Sequence, residues 1–104
     1  MSNYLTDDWI LEDLKFNTEM DMTFMDQEAV TKIDNRLKTY IHMAEDAIRT
    51  EGITLEDTEA DAKLVSLYAE FLYEKRKQPQ PMPPYLRKLL NNRLLSRKAR
   101  AVNL

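Results

Sequence analysis

The chain has 104 residues, of which 43% are apolar and 32% charged, with a formal net charge of −3, no cysteine and one glycine. This length suits one domain with one modest core, and the lack of cysteine excludes a disulfide framework and thiolate metal sites. No apolar run approaches the roughly 20 residues that a bilayer span needs, and the N-terminus does not resemble a signal peptide. We therefore expect a protein of the cytosol, or of a particle assembled there. Because glycine is rare inside helices and common in the turns of strand-rich folds, the composition favours an all-α fold.

The first predicted element is a short helix near the N-terminus. Thr6 suits an N-cap, and the acidic residues after it suit the positive end of a helix over residues 9–15. Residues 17–26 follow as a connection, in which Met20, Met22 and Phe24 alternate in a pattern compatible with a short strand.

The strongest helical periodicity lies between Asp26 and Thr50. Its apolar residues fall within an arc of about 120° at 100° per residue, which predicts a long amphipathic helix. Gly52 stands where a C′ glycine ends a helix, just after a basic residue in the last turn. His42, the only histidine, projects opposite the apolar stripe, so we expect it to be exposed to solvent and to have no chemical role.

A third helix follows an acidic segment. Thr54 and Asp57 have capping-box spacing, and the predicted core helix runs from Thr58 to Lys77. Apolar residues cover more than half of its circumference, so it is either the central helix of the bundle or a helix that also packs on a second chain. In the second case the expected contacts between subunits are Tyr68, Leu72, Tyr73, Lys75 and Arg76.

The last predicted helix follows four prolines in residues 78–84, which favour an extended spacer that holds this helix away from the core. The helix runs from Tyr85 to Arg100, with Pro83 or Pro84 in its first turn. Its apolar stripe gives way to arginines on the same face. This pattern predicts that the first turns of the helix anchor it to a partner and that the arginines bind carboxylates or phosphates of that partner. The predicted docking residues are Tyr85, Leu86, Leu89, Leu90, Arg93, Leu94, Arg97 and Arg100.

Together these elements predict one all-α domain with a short N-terminal helix, two long antiparallel core helices, a proline-rich spacer and a C-terminal docking helix. The helical core occupies residues 1–78, and the spacer with the basic helix occupies residues 79–104.

Charge is distributed very unevenly along the chain. The first 62 residues carry 16 acidic and 5 basic side chains, a net of −11, whereas residues 63–104 carry 10 basic and 2 acidic ones, a net of +8. Such a molecule can associate head to tail with copies of itself or offer its basic end to an acidic partner. Alternatively, the acidic and basic parts satisfy each other within one folded chain.

Nothing in the sequence indicates an enzyme, a cofactor or a metal site. The chain has no glycine-rich phosphate loop and no nucleophile paired with a histidine and an orienting acid. Asp57, Glu59 and Asp61 alternate like EF-hand ligands, but Ala62 and Tyr68 occupy the positions of the required glycine and glutamate. These acids are better explained by the positive end of a helix.

Four segments, in this order, carry a resemblance to a known family. They are DWILEDLK at 8–15, the amphipathic helix at 26–50, LVSLYAEFLYEKR at 64–76 and MPPYLRKLLNNRLL at 82–95. The last two are the most specific, since they join a helix ending in Tyr-Glu-Lys-Arg through a proline-bearing loop to a Leu/Arg helix. The chain resembles the small helical head–tail connector proteins, also called head-completion or adaptor proteins, of long-tailed bacteriophages.

The resemblance implies a non-enzymatic structural protein that forms a ring, commonly of about a dozen copies. The ring sits under the portal protein, extends the DNA channel and provides the platform for the stopper or tail-completion protein. The C-terminal segment grips the portal, and duplex DNA passes through the lumen without sequence-specific binding. The implied location is the head–tail interface of the virion, with assembly in the host cytoplasm and no membrane partner.

Two other functions stay open at this point. One is a small nucleic-acid-binding module that places residues 75–77 and the terminal arginines on phosphates; the acidic overall charge argues against it. The other is a regulatory protein whose basic tail becomes ordered on binding a partner, for which the regular pattern of the last helix is a poor fit.

Overall fold

The computed structural model describes residues 4–18 and 25–102, with side chains up to Ser96. All regular secondary structure in this part of the chain is helical: α1 Asp7–Asn17, α2 Gln27–Thr50, α3 Glu59–Lys75 and α4 Pro84–Val102. The predicted all-α class is confirmed at this level. The strand considered for residues 17–26 falls mainly on 19–24, which lie outside the described residues. None of the described helices combines the length and hydropathy required to cross a bilayer.

The ends of α1 and α2 agree with the sequence signals. The hydroxyl of Thr6 accepts a hydrogen bond from the backbone N–H of Trp9 at 3.1 Å, and the carboxylate of Asp26 accepts one from Ala29 at 2.8 Å. Gly52 follows α2 with a φ of +99°, a backbone conformation that glycine adopts without the steric cost that a Cβ atom brings. Its role at the C′ position is therefore confirmed.

The start of α3 lies within one residue of the predicted Thr58, but its cap differs from the one that the capping-box spacing indicated. Thr58, and not Thr54, is the N-cap: its hydroxyl accepts a hydrogen bond from the backbone N–H of Asp61 at 3.1 Å, and the helix runs from Glu59 to Lys75. Both threonines have an aspartate three residues later, so the local sequence signal is the same at both positions.

The central helix of the bundle is α3, which packs against α1, α2 and α4. This agrees with the first of the two roles that its wide apolar surface predicted. The core contains side chains from all four helices that are almost fully removed from solvent, among them Ile10, Leu14, Leu37, Ile41, Ile48, Val65, Ala69, Leu86 and Leu90.

Polar contacts also hold α1 against α3. Ser66 is fully buried and accepts a hydrogen bond from the side-chain amide of Asn17 at 3.1 Å. The ammonium group of Lys63 lies 3.0 Å from the carboxylate of Asp13 and 3.2 Å from the amide oxygen of Asn17. Because a buried hydroxyl without a partner is costly, this network helps to fix how α1 lies on α3.

The last helix packs against the core and is not held away from it, so that prediction is wrong. Residues 76–83 have no helical structure and return the chain to α3, where Leu86 and Leu90 are 0% exposed. Leu94 also packs on the core from a half-buried position. The physical reason is that the apolar stripe of α4 gains free energy by leaving water, and an irregular connection of this length does not prevent it.

Candidate docking surface on α3 and α4

The predicted docking residues of α4 fall into different environments. Leu86 and Leu90 belong to the core, so the expectation that they contact a partner is corrected. Tyr85 and Leu89 remain exposed by 52% and 42%. Arg97 and Arg100 lie within the helical backbone of α4, and their side chains are outside the described part.

Arg93 makes an ion pair within the chain. Its Nε lies 2.8 Å from Oδ1 of Asp61, and its Nη2 lies 3.0 Å from Oδ2. The same Nη2 donates to the carbonyl oxygen of Thr54 at 2.8 Å. Only 15% of the Arg93 side chain and 4% of the Asp61 side chain are exposed. The hydrogen bond that Arg93 donates to Asp61 raises the pKa of Arg93 above its usual value, although burial opposes this.

The chemistry predicted for Arg93, a two-pronged bond to a carboxylate, is therefore present, but the carboxylate belongs to the same chain. Its expected role in docking a partner is corrected, because its side chain is only 15% exposed and both Nε and Nη2 already bind within the chain. Asp61 has a further structural function, since it accepts a hydrogen bond from the backbone N–H of Glu56 at 2.8 Å. One buried carboxylate thus joins the α2–α3 connection, the first turn of α3 and α4.

A second pair joins α4 to the end of α2. Nη2 of Arg87 lies 2.7 Å from the carboxylate of Glu51, and this hydrogen bond raises the pKa of Arg87. The acidic and basic parts of the sequence therefore satisfy each other internally at least at Arg87 and Arg93. The alternative in which the acidic and basic parts satisfy each other within one folded chain is therefore partly right.

Among the residues predicted to contact a neighbouring subunit, Tyr68 is corrected to a core position. It is 9% exposed, its ring meets that of Phe71 edge to face at 6.0 Å, and burial raises the pKa of its hydroxyl. Leu72 is half-buried and packs against the core.

The other three predicted contact residues lie near the end of α3. The ring of Tyr73 meets that of Tyr40 on α2 at 5.8 Å, and the guanidinium group of Arg76 lies 3.6 Å from the centre of the Tyr73 ring. The ammonium group of Lys75 lies 5.4 Å from the centre of the Phe71 ring. Arg76 and Lys75 are exposed cations stacked on their own helix, and they keep surface area available to a partner.

A groove of about 400 Å³ runs between α3 and α4, and apolar atoms form most of its lining. Leu89 is the exposed apolar residue that α4 contributes to it, and α3 contributes Leu64 and Leu67. Sequence reasoning did not find this groove, because it exists only where α4 has returned to α3. The lining residues are Ala60, Asp61, Lys63, Leu64, Leu67, Leu89, Asn92, Arg93 and Ser96.

Glu70 lies in an unfavourable electrostatic position on α3. Partial burial raises its pKa from the ordinary value of 4.5, and the charges of Glu74 and Asp13 raise it further, against the opposing effect of Lys63. Glu70 in turn adds to the effect of burial in raising the pKa of Tyr85 on α4. Its charge is therefore better tolerated in the unfolded chain than in the folded one.

We expect Glu70→Gln to raise the free energy of unfolding at pH 7, because it removes this charge while the helix propensity stays similar. The gain should shrink as the pH falls through the raised pKa of the folded state and vanish below 4.5, the ordinary value, where the glutamate is protonated in both states. Urea unfolding of both proteins at pH 7 and below pH 4 measures this difference. Glu28→Gln, which removes a carboxylate that is 81% exposed, is the control; an equal gain in both variants would contradict the assignment.

His42 is exposed, as expected, but it is not isolated. Its Nε2 lies 3.1 Å from a carboxylate oxygen of Asp7, and Glu45 lies one helical turn further along α2. One potential ligand atom from each of these three residues lies within 4.8 Å of the other two, and the described residues contain no second group of this kind. The sequence did not reveal the cluster, because Asp7 is 35 residues away from His42.

Comparisons with known proteins found no match among protein-family models, curated proteins or solved structures. The function therefore has to be argued from the residues and their arrangement.

Proposed function

We propose that the protein is a structural virion assembly protein: a ring-forming head–tail connector that docks under the portal, extends the DNA channel and carries the stopper or tail. The observation that supports this best is the continuation of α4 past Leu94 as a helix with a basic sequence. Among the side chains that the structure describes, which end at Ser96, Leu94 is the last of α4 packed on the core, and the helical backbone continues to Val102. This extension carries Arg97, Lys98 and Arg100 and no acidic residue.

The revised docking surface combines this basic extension with the exposed apolar residues beside the α3–α4 groove. Tyr85 and Leu89 offer apolar area on α4, and Leu95, with 63% exposure, offers more on another side. An apolar anchor beside arginines suits a partner surface that carries carboxylates around an apolar patch, because arginine binds carboxylates in a two-pronged manner.

The remainder of the molecule supports a position around DNA. Exposed carboxylates lie along α1 and α2, among them Asp8, Glu12, Glu28 and Asp46. An acidic wall repels the phosphates of a duplex and so allows it to slide, whereas a basic wall would bind it. In this proposal the wall faces the lumen and the basic extension faces the portal.

The proposal keeps α2 and α3 as an antiparallel pair and treats α4 as the element that both closes the core and docks. The short connection 51–58 and the contact of Tyr40 with Tyr73, far from that connection in both helices, support this arrangement. Lys75 and Arg76 remain candidates for contacts between subunits.

The test combines Leu89→Asp with Arg97→Glu and Arg100→Glu; Leu89 is 42% exposed, and the two arginines belong to the basic end of α4. We expect a normally folded protein that no longer binds the portal protein of the same virus and no longer completes capsids in an assembly reaction. Negative-stain microscopy of the protein alone and with the portal measures ring formation and docking. A control with Met43→Asp, Arg36→Glu and Lys38→Glu changes the same residue classes on α2 and should dock normally.

Equal docking by the triple variant and the wild type would remove α4 from the docking surface. Failure of the wild type to form rings, with or without the portal, would contradict the connector function. Salt-dependent binding to random duplex DNA that the Arg97/Arg100 changes abolish would instead indicate the nucleic-acid-binding module.

A further inference from the structure

The cluster of Asp7, His42 and Glu45 joins the start of α1 to the middle of α2. His42 and Glu45 are three residues apart on one helix, so their side chains leave α2 on the same side. Nε2 of His42 lies 3.1 and 3.2 Å from the two carboxylate oxygens of Asp7. Ligand atoms from all three residues lie within 4.8 Å of one another.

These separations are close to what a small divalent ion requires. Tetrahedral zinc with bonds of 2.0–2.1 Å holds its ligand atoms about 3.3 Å apart. The distance of 3.1 Å from His42 to Asp7 is close to this value, and the Glu45 ligand atom lies within 4.8 Å of the other two. Two carboxylates that converge on one imidazole also create a local negative potential, which a cation relieves.

The backbone that carries these ligands is fixed from both sides. The N–H groups of Tyr4 and Leu5 donate to a carboxylate oxygen of Asp57, each at 2.9 Å, which ties the segment before Asp7 to the α2–α3 connection. At the other end of α1, the ammonium group of Lys15 lies 2.7 Å from the carboxylate of Asp34 on α2. The ligands are therefore held near each other before any ion binds, which lowers the entropic cost of binding.

We propose that Asp7, His42 and Glu45 form a surface site for a divalent transition metal ion of the zinc class. The imidazole ligand favours such an ion over Ca²⁺ or Mg²⁺, which prefer oxygen ligands only. Three protein ligands leave one position open for water. The bound ion links α1 to α2, because Asp7 belongs to α1 and the other two ligands belong to α2. The charge of Arg49 opposes metal binding: its Nη2 lies 3.9 Å from the Glu45 carboxylate and competes with the ion for that ligand.

The test is a calorimetric titration of Zn²⁺ into the untagged full-length protein, stripped of metal with EDTA, at pH 7. We expect one ion per chain, at least about tenfold weaker binding in His42→Ala and in Glu45→Gln, and tighter binding in Arg49→Gln. Zn²⁺ should raise the melting temperature of the wild type, because it binds only the folded chain, and Mg²⁺ should not. Asp46→Asn is the matched control, since this carboxylate is 83% exposed and lies on the same helix.

Because His42 is the only histidine, its imidazole resonances in an NMR spectrum report directly on the site. They should shift on addition of Zn²⁺ and stay unchanged on addition of Mg²⁺. Equal zinc affinity in the wild type and His42→Ala, or an equal effect of Mg²⁺, would show that only surface carboxylates attract the ion and would overturn the proposal. In the absence of metal His42→Ala should melt like the wild type, since it removes only an exposed pair. This site and the docking surface are tested by separate variants, so either proposal can fail alone.

Discussion

Truncation of the chain after Gln78 is expected to abolish cooperative unfolding. It removes Leu86 and Leu90, which are 0% exposed, and leaves the surfaces of α3 that they cover in water. Loss of one buried leucine side chain typically costs about 2–5 kcal/mol, whereas a domain of this size is stable by only about 5–15 kcal/mol in total. The truncation also removes Arg93, which pairs with Asp61 in the full chain, so the losses together approach or exceed the stability of the domain.

Thermal and urea unfolding, followed by circular dichroism at 222 nm, measure this result. Truncation after Ser96 is the matched control, because it keeps every described side chain of α4 that packs on the core and removes the basic extension. The variant that ends at Ser96 should unfold like the full chain and should still fail to dock with the portal. A cooperative, native-like transition in the Gln78 truncation would mean that α4 does not belong to the core.

Arg93→Ala is expected to lower the free energy of unfolding by about 3–5 kcal/mol, because it leaves a charged carboxylate in a buried position. The side chain of Asp61 is only 4% exposed, so water cannot replace the two hydrogen bonds that Arg93 provides. Arg93→Lys should be destabilising as well, since an ammonium group cannot form the two-pronged bond.

Two further variants separate this pair from an ordinary surface ion pair. Arg87→Ala breaks the pair with Glu51, in which the arginine side chain is 43% exposed, and should cost less than about 1 kcal/mol. Arg93→Met combined with Asp61→Asn should recover much of the stability, because no buried charge is left and the asparagine still accepts the N–H of Glu56. Similar losses in Arg93→Ala and Arg87→Ala under equilibrium urea unfolding would contradict the structural role of the buried pair.

The prediction for α4 shows why local patterns mislead at this point. Arginines that continue an apolar stripe indicate that a helix leaves its own core, unless a buried acid lies opposite one of them. Arg93 meets such an acid in Asp61, which is 32 residues earlier in the chain. An acid at the first turn of a helix has a sufficient local explanation in the helix dipole, so its sequence position does not reveal a distant partner.

The choice of N-cap for α3 depends on the same tertiary contacts. Thr54 and Thr58 have equivalent local signals, but the structure uses the two aspartates that follow them differently. Asp57 accepts hydrogen bonds from the N–H groups of Tyr4 and Leu5, while Asp61 is buried against Arg93. These long-range contacts accompany a helix that begins after Thr58.

The sequence by itself determined the helical class, the extent of α2 within one residue at its start, and the caps at Thr6 and Gly52. Each of these follows from interactions within a few residues: the 3.6-residue repeat of apolar side chains, a side-chain oxygen that satisfies an exposed N–H group, and the backbone freedom of glycine. Only the tertiary structure decided that α4 packs on α3, that Arg93 pairs with Asp61, and that Asp7 meets His42. Those outcomes depend on which surfaces exclude water together and which charges lose their hydration as they do so, and segments that are distant in the sequence determine both.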